Sequence, residues 1–369
     1  MNTPNKTNVL PGQTYNGEAP DAFCTANEFV RQLEQYALQH QLPVRENANV
    51  LSIEKPAGES FFTIRVSENG LQKKILCKQV VVASGSQNQK NVPAFAQNIS
   101  PEMLQLHAGE YRSAADLPEG AVLVVGSAQS GAQIAEDLAL EGRKVYLATS
   151  MVARVPRRYR GKDIVDWLLM LGFFDLQTQD VTDPKIIATK VPLLSGVGEL
   201  GHTLSLQSLA KMGVSILGKM INADSEQAFL ESNAAEHVKF GDGFSQKVKA
   251  MIDDFIQKKQ LDVPLQEAEE ADMPDSDAAC ASPLATINFK EHHITSIIWA
   301  TGFSGNFSYI KLPVTDNKAH PKHTNGSSDL KGLYFLGFPW LRKRGSGMII
   351  GINDDAPFIA GQLKMNLNE

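Results

Sequence analysis

The stretch AVLVVGSAQSGAQIAEDLALEGRKVYLATS, residues 121–150, limits what this chain can fold into more than any other part of it. AVLVV is an unbroken apolar run of strand length, the pattern of a strand buried on both faces of a parallel sheet. A turn of small residues follows, then Ile134, Ala135 and Leu138 at helical spacing, then a second apolar strand, KVYLAT. Strand, glycine turn, helix, strand is the opening of a dinucleotide-binding βαβ unit. In such a unit the turn aims the unpaired N–H groups of the helix start at a pyrophosphate.

GSAQSG at 126–131 occupies the place of the G-x-G-x-x-G pattern. Gly126 makes the tight turn and Gly131 permits close helix–strand packing, while Ala128 puts a methyl where the pattern has its middle glycine. The nucleotide-binding residues expected here are Gly126, Ser127, Ala128, Gln129, Ser130 and Gly131. A second stretch, GVGELG at 196–201, matches the glycine pattern without a gap. It follows VPLLS, whose Pro192 cannot donate a ladder bond, and precedes at most a short helix. Binding is therefore expected at GSAQSG. The second strand ends in Thr149-Ser150, without the acid that holds the ribose 2′-hydroxyl of NAD. Arg154, Arg157 and Arg158 stand just beyond and could reach a 2′-phosphate, so NADP(H) is expected over NAD(H).

Around this unit the chain reads as a second, divided part. Thr25-Ala26-Asn27-Glu28 is a capping box, and apolar residues at helical spacing carry a helix to about His40. ANVLSIEK, SFFTIRVS and LQKKILC, separated by turn signals, read as an antiparallel meander. VVVASGS at 80–86 is echoed by IIWATGF at 297–303, both apolar strands ending in Ala-Ser/Thr-Gly. One sheet interrupted by an inserted nucleotide domain explains the echo. The expected fold is α/β with two Rossmann-like dinucleotide-binding domains: residues 1–104, an inserted domain over 105–292, and a return over 293–369. Residues 222–283 are polar, and the acidic QEAEEADMPDSD reads as a surface excursion.

Several classes of function are unsupported. The net charge is −6 with no basic block beyond the cluster at Arg157, so nucleic acid is not an expected partner. No apolar run approaches the roughly 18–20 residues of a membrane span. MNTPNKTNVLPGQ carries no signal pattern, which leaves the cytoplasm as the expected location. Cys24, Cys77 and Cys280 form no C-x-x-C pair, and His292, His293, His320 and His323 read as solvated turn residues, so no metal is expected.

Taken in order, the meander, VVVASG, GSAQSG, IIWATG and GLYFLG resemble the two-dinucleotide-binding flavoproteins. Within them the chain is most similar to flavin-containing monooxygenases and to bacterial flavoproteins described as potassium-transport-associated; PGQTYNG, VPRRYRGKD, GHTLSLQSLAKMGV and GFPWLRKRGSG resemble stretches of that bacterial group. The monooxygenase fingerprint F-x-G-x-x-x-H-x-x-x-Y/F is kept only at His107 and Tyr111, with Pro101 and Met103 in place of Phe and Gly. The resemblance implies that NADPH reduces FAD, which passes electrons to O₂ or to a small-molecule substrate. It also implies that Ser86, Gln87, Gly337, Gly351 and Asp354 border the flavin, with Gly302 of the ATG turn a further cofactor contact. No catalytic residue can be named, since the cofactor carries the chemistry. The family's FAD loop would precede residue 25, where none stands. This raises the expectation of a chain that holds little flavin alone and self-associates or pairs with a chain completing the FAD half. A nucleotide-binding module without flavin turnover, or a remnant that binds nothing, are the alternative readings.

Overall fold

A computed structural model describes residues 2–188, 193–196, 201–316 and 320–367. Helix α1 (Ala26–Gln39) opens on the expected capping box: Thr25 Oγ1 accepts from Glu28 N at 3.2 Å, and the Glu28 carboxylate accepts from Thr25 N at 2.7 Å. None of its residues is buried, and Val30 and Leu33 of its apolar face stand open. Strands β1 (Ala48–Glu54), β2 (Phe62–Glu68) and β3 (Leu71–Cys77) form the expected antiparallel meander. The short β4 (Val80–Val82) pairs in parallel with Leu333–Phe335.

The main sheet holds β5 (Leu104–His107), β6 (Ala121–Val125) and β7 (Val145–Ala148), with helix α2 (Gln129–Leu140) crossing between the last two. The chain then passes through β8 (Ala153–Arg154), helix α3 (Ile164–Met170), β9 (Leu193–Leu194) and helix α4 (Leu206–Lys211) to β10 (Ser215–Leu217). A small antiparallel sheet, β11 (Met220–Ala223), β12 (Gln227–Leu230) and β13 (Thr286–Asn288), brackets the long helix α5 (Ala234–Lys259). Strand β14 (Ile294–Trp299) returns to the main sheet, and β15 (Leu333–Phe335) and helix α6 (Ile349–Leu367) follow.

The main sheet is parallel throughout, in the order β10-β7-β6-β14-β5. Alternate residues of its strands face opposite cores. Val122, Val124, Val145, Leu147 and Ile298 pack with Ala132, Ile134, Ala135 and Leu138 of α2. Leu123, Val125, Tyr146, Ile297 and Trp299 pack against the β11–β13 layer. The central strands β6, β7 and β14 are buried on both faces, so they read as largely continuous apolar segments, whereas edge strand β5 is only half-buried.

Two expectations are corrected here. Ile297–Ala300 does not extend the sheet of Val80–Ala83: β14 lies between β6 and β5, hydrogen-bonded on both edges, and Ile297 is fully buried. An unbroken apolar strand records its burial but not its neighbours, so the echo between VVVASG and IIWATG carries no pairing information. β4, by contrast, has β15 as its sole strand partner among the described residues. The second correction concerns 222–283, read only as polar, which contains α5, 26 residues long. Its buried face includes His237, Asp242 and Ser245 among Val238, Val248 and Ile252, so the helical period is masked in the sequence.

Candidate active site: the crevice at the end of β6

Strand order reverses between β6 and β14, because the chain runs from β6 outward through β7 to β10 and only later fills the other side. In sheets of this kind the crevice beyond the strand ends at such a reversal is where ligands bind. Gly126 turns the chain there with φ +107°, its N–H donating to the Ala148 carbonyl at 2.8 Å. A β-carbon at Gly126 would strike the Ala300 carbonyl oxygen. One at Gly131 would fall on the Gly126 carbonyl oxygen and lie 2.9 Å from Ala300 Cβ. Both glycines are required by close approach, as the sequence indicated.

Ser127 is fully buried and ties the ends of β6 and β7 together: its Oγ accepts from Ser150 N at 3.0 Å. Helix α2 begins after Ala128, which is extended and supplies no side-chain cap. Its first internal bond runs from Ala132 N to Ala128 O, leaving the N–H groups of Gln129, Ser130 and Gly131 without helical partners. Uncapped donors at the positive end of a helix, beneath a turn with no room for side chains, suit a pyrophosphate.

The described residues flanking GVGELG lie beside this loop. Residues 197–200 fall outside the described residues, but its flanks are clear. Gly196 and Gly201 have φ +73° and +57°, and the next helix, α4, starts only at Leu206. Ser195 N donates to Gln129 Oε1 at 3.1 Å, and His202 Nε2 contacts Glu136 of α2 at 2.6 Å. The hydrogen bond to Glu136 raises the His202 pKa.

The arginines require correction. Arg157 is 1% exposed; its Nε reaches Asp163 Oδ2 at 2.9 Å, its Nη2 meets Asp163 Oδ1, and its Nη1 donates to Ser195 Oγ and the Gly196 carbonyl, both at 3.2 Å. Arg154 is 3% exposed, paired with Asp272 and, at 2.6 Å, with Asp242. Both are structural ion pairs turned away from solvent, so neither is free for a 2′-phosphate. Arg158 alone is exposed, its Nη2 donating to the Asp21 carbonyl at 3.2 Å. Thr149 also points inward, 2% exposed, donating to the Leu217 carbonyl at 2.6 Å.

His107 and Tyr111 have structural partners. The Gly302 carbonyl can only accept, so His107 Nε2 donates to it at 3.0 Å, and Nδ1 accepts from Gly109 N at 3.2 Å. The imidazole thereby fixes the ATG turn closing the crevice, with Phe303 edge-on at 4.6 Å. Tyr111 donates to Asp137 of α2, and burial with that carboxylate raises its pKa.

The residues expected at a flavin come from the loop after β4, the loop after β15 and helix α6. Ser86 is half-buried and Gln87 exposed, in the loop after β4; a β-carbon on neighbouring Gly85 would lie 3.8 Å from the Gly337 carbonyl. Gly337 has φ +76° with open space beside it, whereas Gly351 is packed against Gly345 and Ser346. Asp354 is exposed and paired with Lys343, while the buried carboxylate is its neighbour Asp355, 1% exposed, with Arg342 Nη1 at 3.6 Å.

Residues 6–164 match the family model for pyridine nucleotide-disulphide oxidoreductases. An uncharacterized CzcO-like oxidoreductase of Geobacillus kaustophilus is 28% identical over 98% of this chain and 84% of its own length. The structure of a flavin-containing monooxygenase from Stenotrophomonas maltophilia superposes with a TM-score of 0.58 at 15% identity, covering 99% of this chain and 84% of that one. Over nearly its whole length the chain is thus similar to CzcO-like oxidoreductases, and it shares the fold of flavin-containing monooxygenases. An ornithine N-hydroxylase of Kutzneria sp. 744, solved with reduced FAD, NADP⁺ and L-ornithine, shares the fold at TM-score 0.56 and 12% identity, covering 93% of this chain and 77% of that one. The Cys280 thiol is pushed up to about 12 by burial and by Asp275. No helix among the described residues is long and apolar enough to cross a membrane.

Proposed function

We propose that this monooxygenase-like chain binds a reduced nicotinamide dinucleotide at GSAQSG and acts with FAD on O₂ or a small-molecule substrate. The observation that carries the reading is the uncapped start of α2 at the strand-order reversal, with Gly126 and Gly131 leaving no space for a side chain. A flavin held by this chain would supply the hydride-accepting and electron-transfer chemistry. Gly126 and Gly131 admit the pyrophosphate, His107 holds Gly302 in place, and Ser86, Gln87, Gly337, Gly351 and Asp354 line the flavin side. Of the three arginines expected at a 2′-phosphate, Arg158 is the one left available. The inserted nucleotide domain runs from about 105 to 300, since β14 belongs to its sheet.

A second reading has an observation of its own. Among the described residues, one strand–glycine loop–helix unit is present, while α1 and the edge of β4 lie open on the flavin side. A nucleotide-binding module that turns over flavin only with a second chain fits that arrangement.

The test is titration of the purified protein with NADH and NADPH, read by nicotinamide fluorescence, together with its visible spectrum. Either nucleotide should bind, and Gly126→Val should abolish binding in a protein that remains folded. Retained binding in that variant overturns the assignment of the loop. A flavin spectrum bleached by the reduced nucleotide supports the oxidoreductase reading, and nucleotide binding without flavin supports the module.

A further inference from the structure

The end of β7, where nucleotide-binding folds read the adenosine ribose, holds an unusual pair of groups. Thr149 Oγ1 has one proton, and its 2.6 Å contact with the Leu217 carbonyl uses it, because a carbonyl can only accept. The 2.8 Å contact between the same Oγ1 and His237 Nδ1 is therefore a donation from the ring. This fixes the tautomer: the proton sits on Nδ1, and Nε2 keeps a lone pair. Burial lowers the His237 pKa, which favours the neutral ring. Nε2 has no hydrogen-bond partner among the described residues, although the residue is 4% exposed.

His237 borders a cavity of about 10 Å³, walled also by Ser127, Ser150, Val152, Gly241 and Arg154. This is close to the smallest space that holds one water or one hydroxyl, roughly 10–15 Å³. Arg154 brings a second unmet group, since its buried Nε–H has no acceptor. His237 and Arg154, which carry that lone pair and that N–H, both line this hydroxyl-sized hole, and such a pair complements a hydroxyl, which both donates and accepts.

A phosphate fits poorly at the same place. The Arg154 Nη atoms are already bound by Asp242 and Asp272. Lys249 neutralises Asp272 at 2.6 Å, and Gln207 and Asp275 N donate to Asp242 at 2.7 and 2.8 Å. Two cations face two carboxylates, so no net positive charge remains. A phosphate dianion would meet the His237 lone pair, two anions and a hole too small to admit it.

We propose that this cavity receives the adenosine ribose 2′-hydroxyl and that the chain selects NADH over NADPH, a selectivity that rests on nucleotide binding at GSAQSG. His237 is then a specificity-determining residue, and Thr149 sets its tautomer.

The experiment compares NADH, NADPH and 2′-deoxy-NADH on the wild-type protein by nicotinamide fluorescence, then repeats the series with His237→Phe and His237→Gln. NADH should bind about tenfold tighter than 2′-deoxy-NADH, on the scale of one or two hydrogen bonds, and tighter still than NADPH. His237→Phe should weaken NADH to the level of the deoxy compound while leaving the latter unchanged, and His237→Gln, which retains an acceptor, should recover part of the difference. Equal affinity for NADH and 2′-deoxy-NADH on the wild type would mean that the cavity holds only water, and would overturn the proposal whether or not the variants fold. NADPH binding as tightly as NADH would overturn it too, leaving the GSAQSG site intact. Binding of none of the three would overturn both.

Discussion

Gly131→Ala sets two effects of known size against each other. Within a helix alanine is favoured over glycine by about 0.8–1.0 kcal/mol, and Gly131 is not at positive φ, so its backbone accepts alanine. Against this, the new β-carbon would fall on the Gly126 carbonyl oxygen, 2.9 Å from both the Gly126 carbonyl carbon and Ala300 Cβ. Neither neighbour can yield easily: Gly126 N is held by Ala148 O at 2.8 Å and Ala300 N by Val125 O at 2.8 Å. Relief requires the start of α2 to lift from the sheet. Overpacking costs about 1–3 kcal/mol, and backbone overlap places this case at the upper end, so the net loss is about 2 kcal/mol. Gly243→Ala, inside α5 with nothing within 4 Å of its β-carbon, isolates the propensity term and should gain up to about 1 kcal/mol. Urea denaturation of the two variants measures the contrast, a difference of roughly 3 kcal/mol for one chemical change. Gly131→Ala as stable as the wild type, or more so, would refute the close contact between α2 and the turn. Nucleotide affinity should fall with it, because the displaced helix end carries the three unpaired N–H groups.

Two further outcomes follow from the charges. Asp163→Asn leaves the Arg157 guanidinium without its buried carboxylate and should cost about 3–5 kcal/mol of unfolding free energy; folded protein recovered at low temperature should bind NADPH as the wild type does, and a selective loss of NADPH would restore Arg157 to the 2′-phosphate. His202, whose pKa is raised by its hydrogen bond to Glu136, contributes stability that is fully present below its ordinary value of 6.5 and lost as pH rises through the elevated folded value. The stability difference between wild type and His202→Gln should thus shrink as pH rises across that window, modestly and in a salt-sensitive way because the side chain is 41% exposed; a difference growing with pH would contradict the sign.

The glycine turn after β6 was legible because its requirements are local. A strand buried on both faces must be apolar throughout, and a turn against a carbonyl must be glycine, whatever lies elsewhere in the chain. The meander and the capping box at Thr25 were legible for the same reason. The arginines were not, because nothing near Arg154 in sequence announces Asp242 and Asp272, which lie 88 and 118 residues away. A basic cluster records charge, not the carboxylates that neutralise it. Helix α5 stayed hidden because part of its inner face is polar, and those polar groups are the partners of Arg154 and Thr149. The specificity-determining part of the proposed site was thus the least readable, since it is assembled from long-range polar contacts. Only the absence of an acid at Thr149 hinted that something other than a carboxylate occupies that corner.

The placement of β14 between β6 and β5 has a consequence for vectorial synthesis. β6 leaves the ribosome early, yet its neighbour on one side is encoded about 170 residues later. At roughly 5–20 residues per second that interval lasts on the order of 10–30 s. During it the edge of AVLVV, apolar on both faces, stays bare even after α2 and β7 have closed the other flank. A nascent chain with such an edge is prone to join other chains by strand addition. Holding it in check falls to chaperones, and the abundance of the protein in a cell should respond to their supply more steeply than its equilibrium stability alone would suggest.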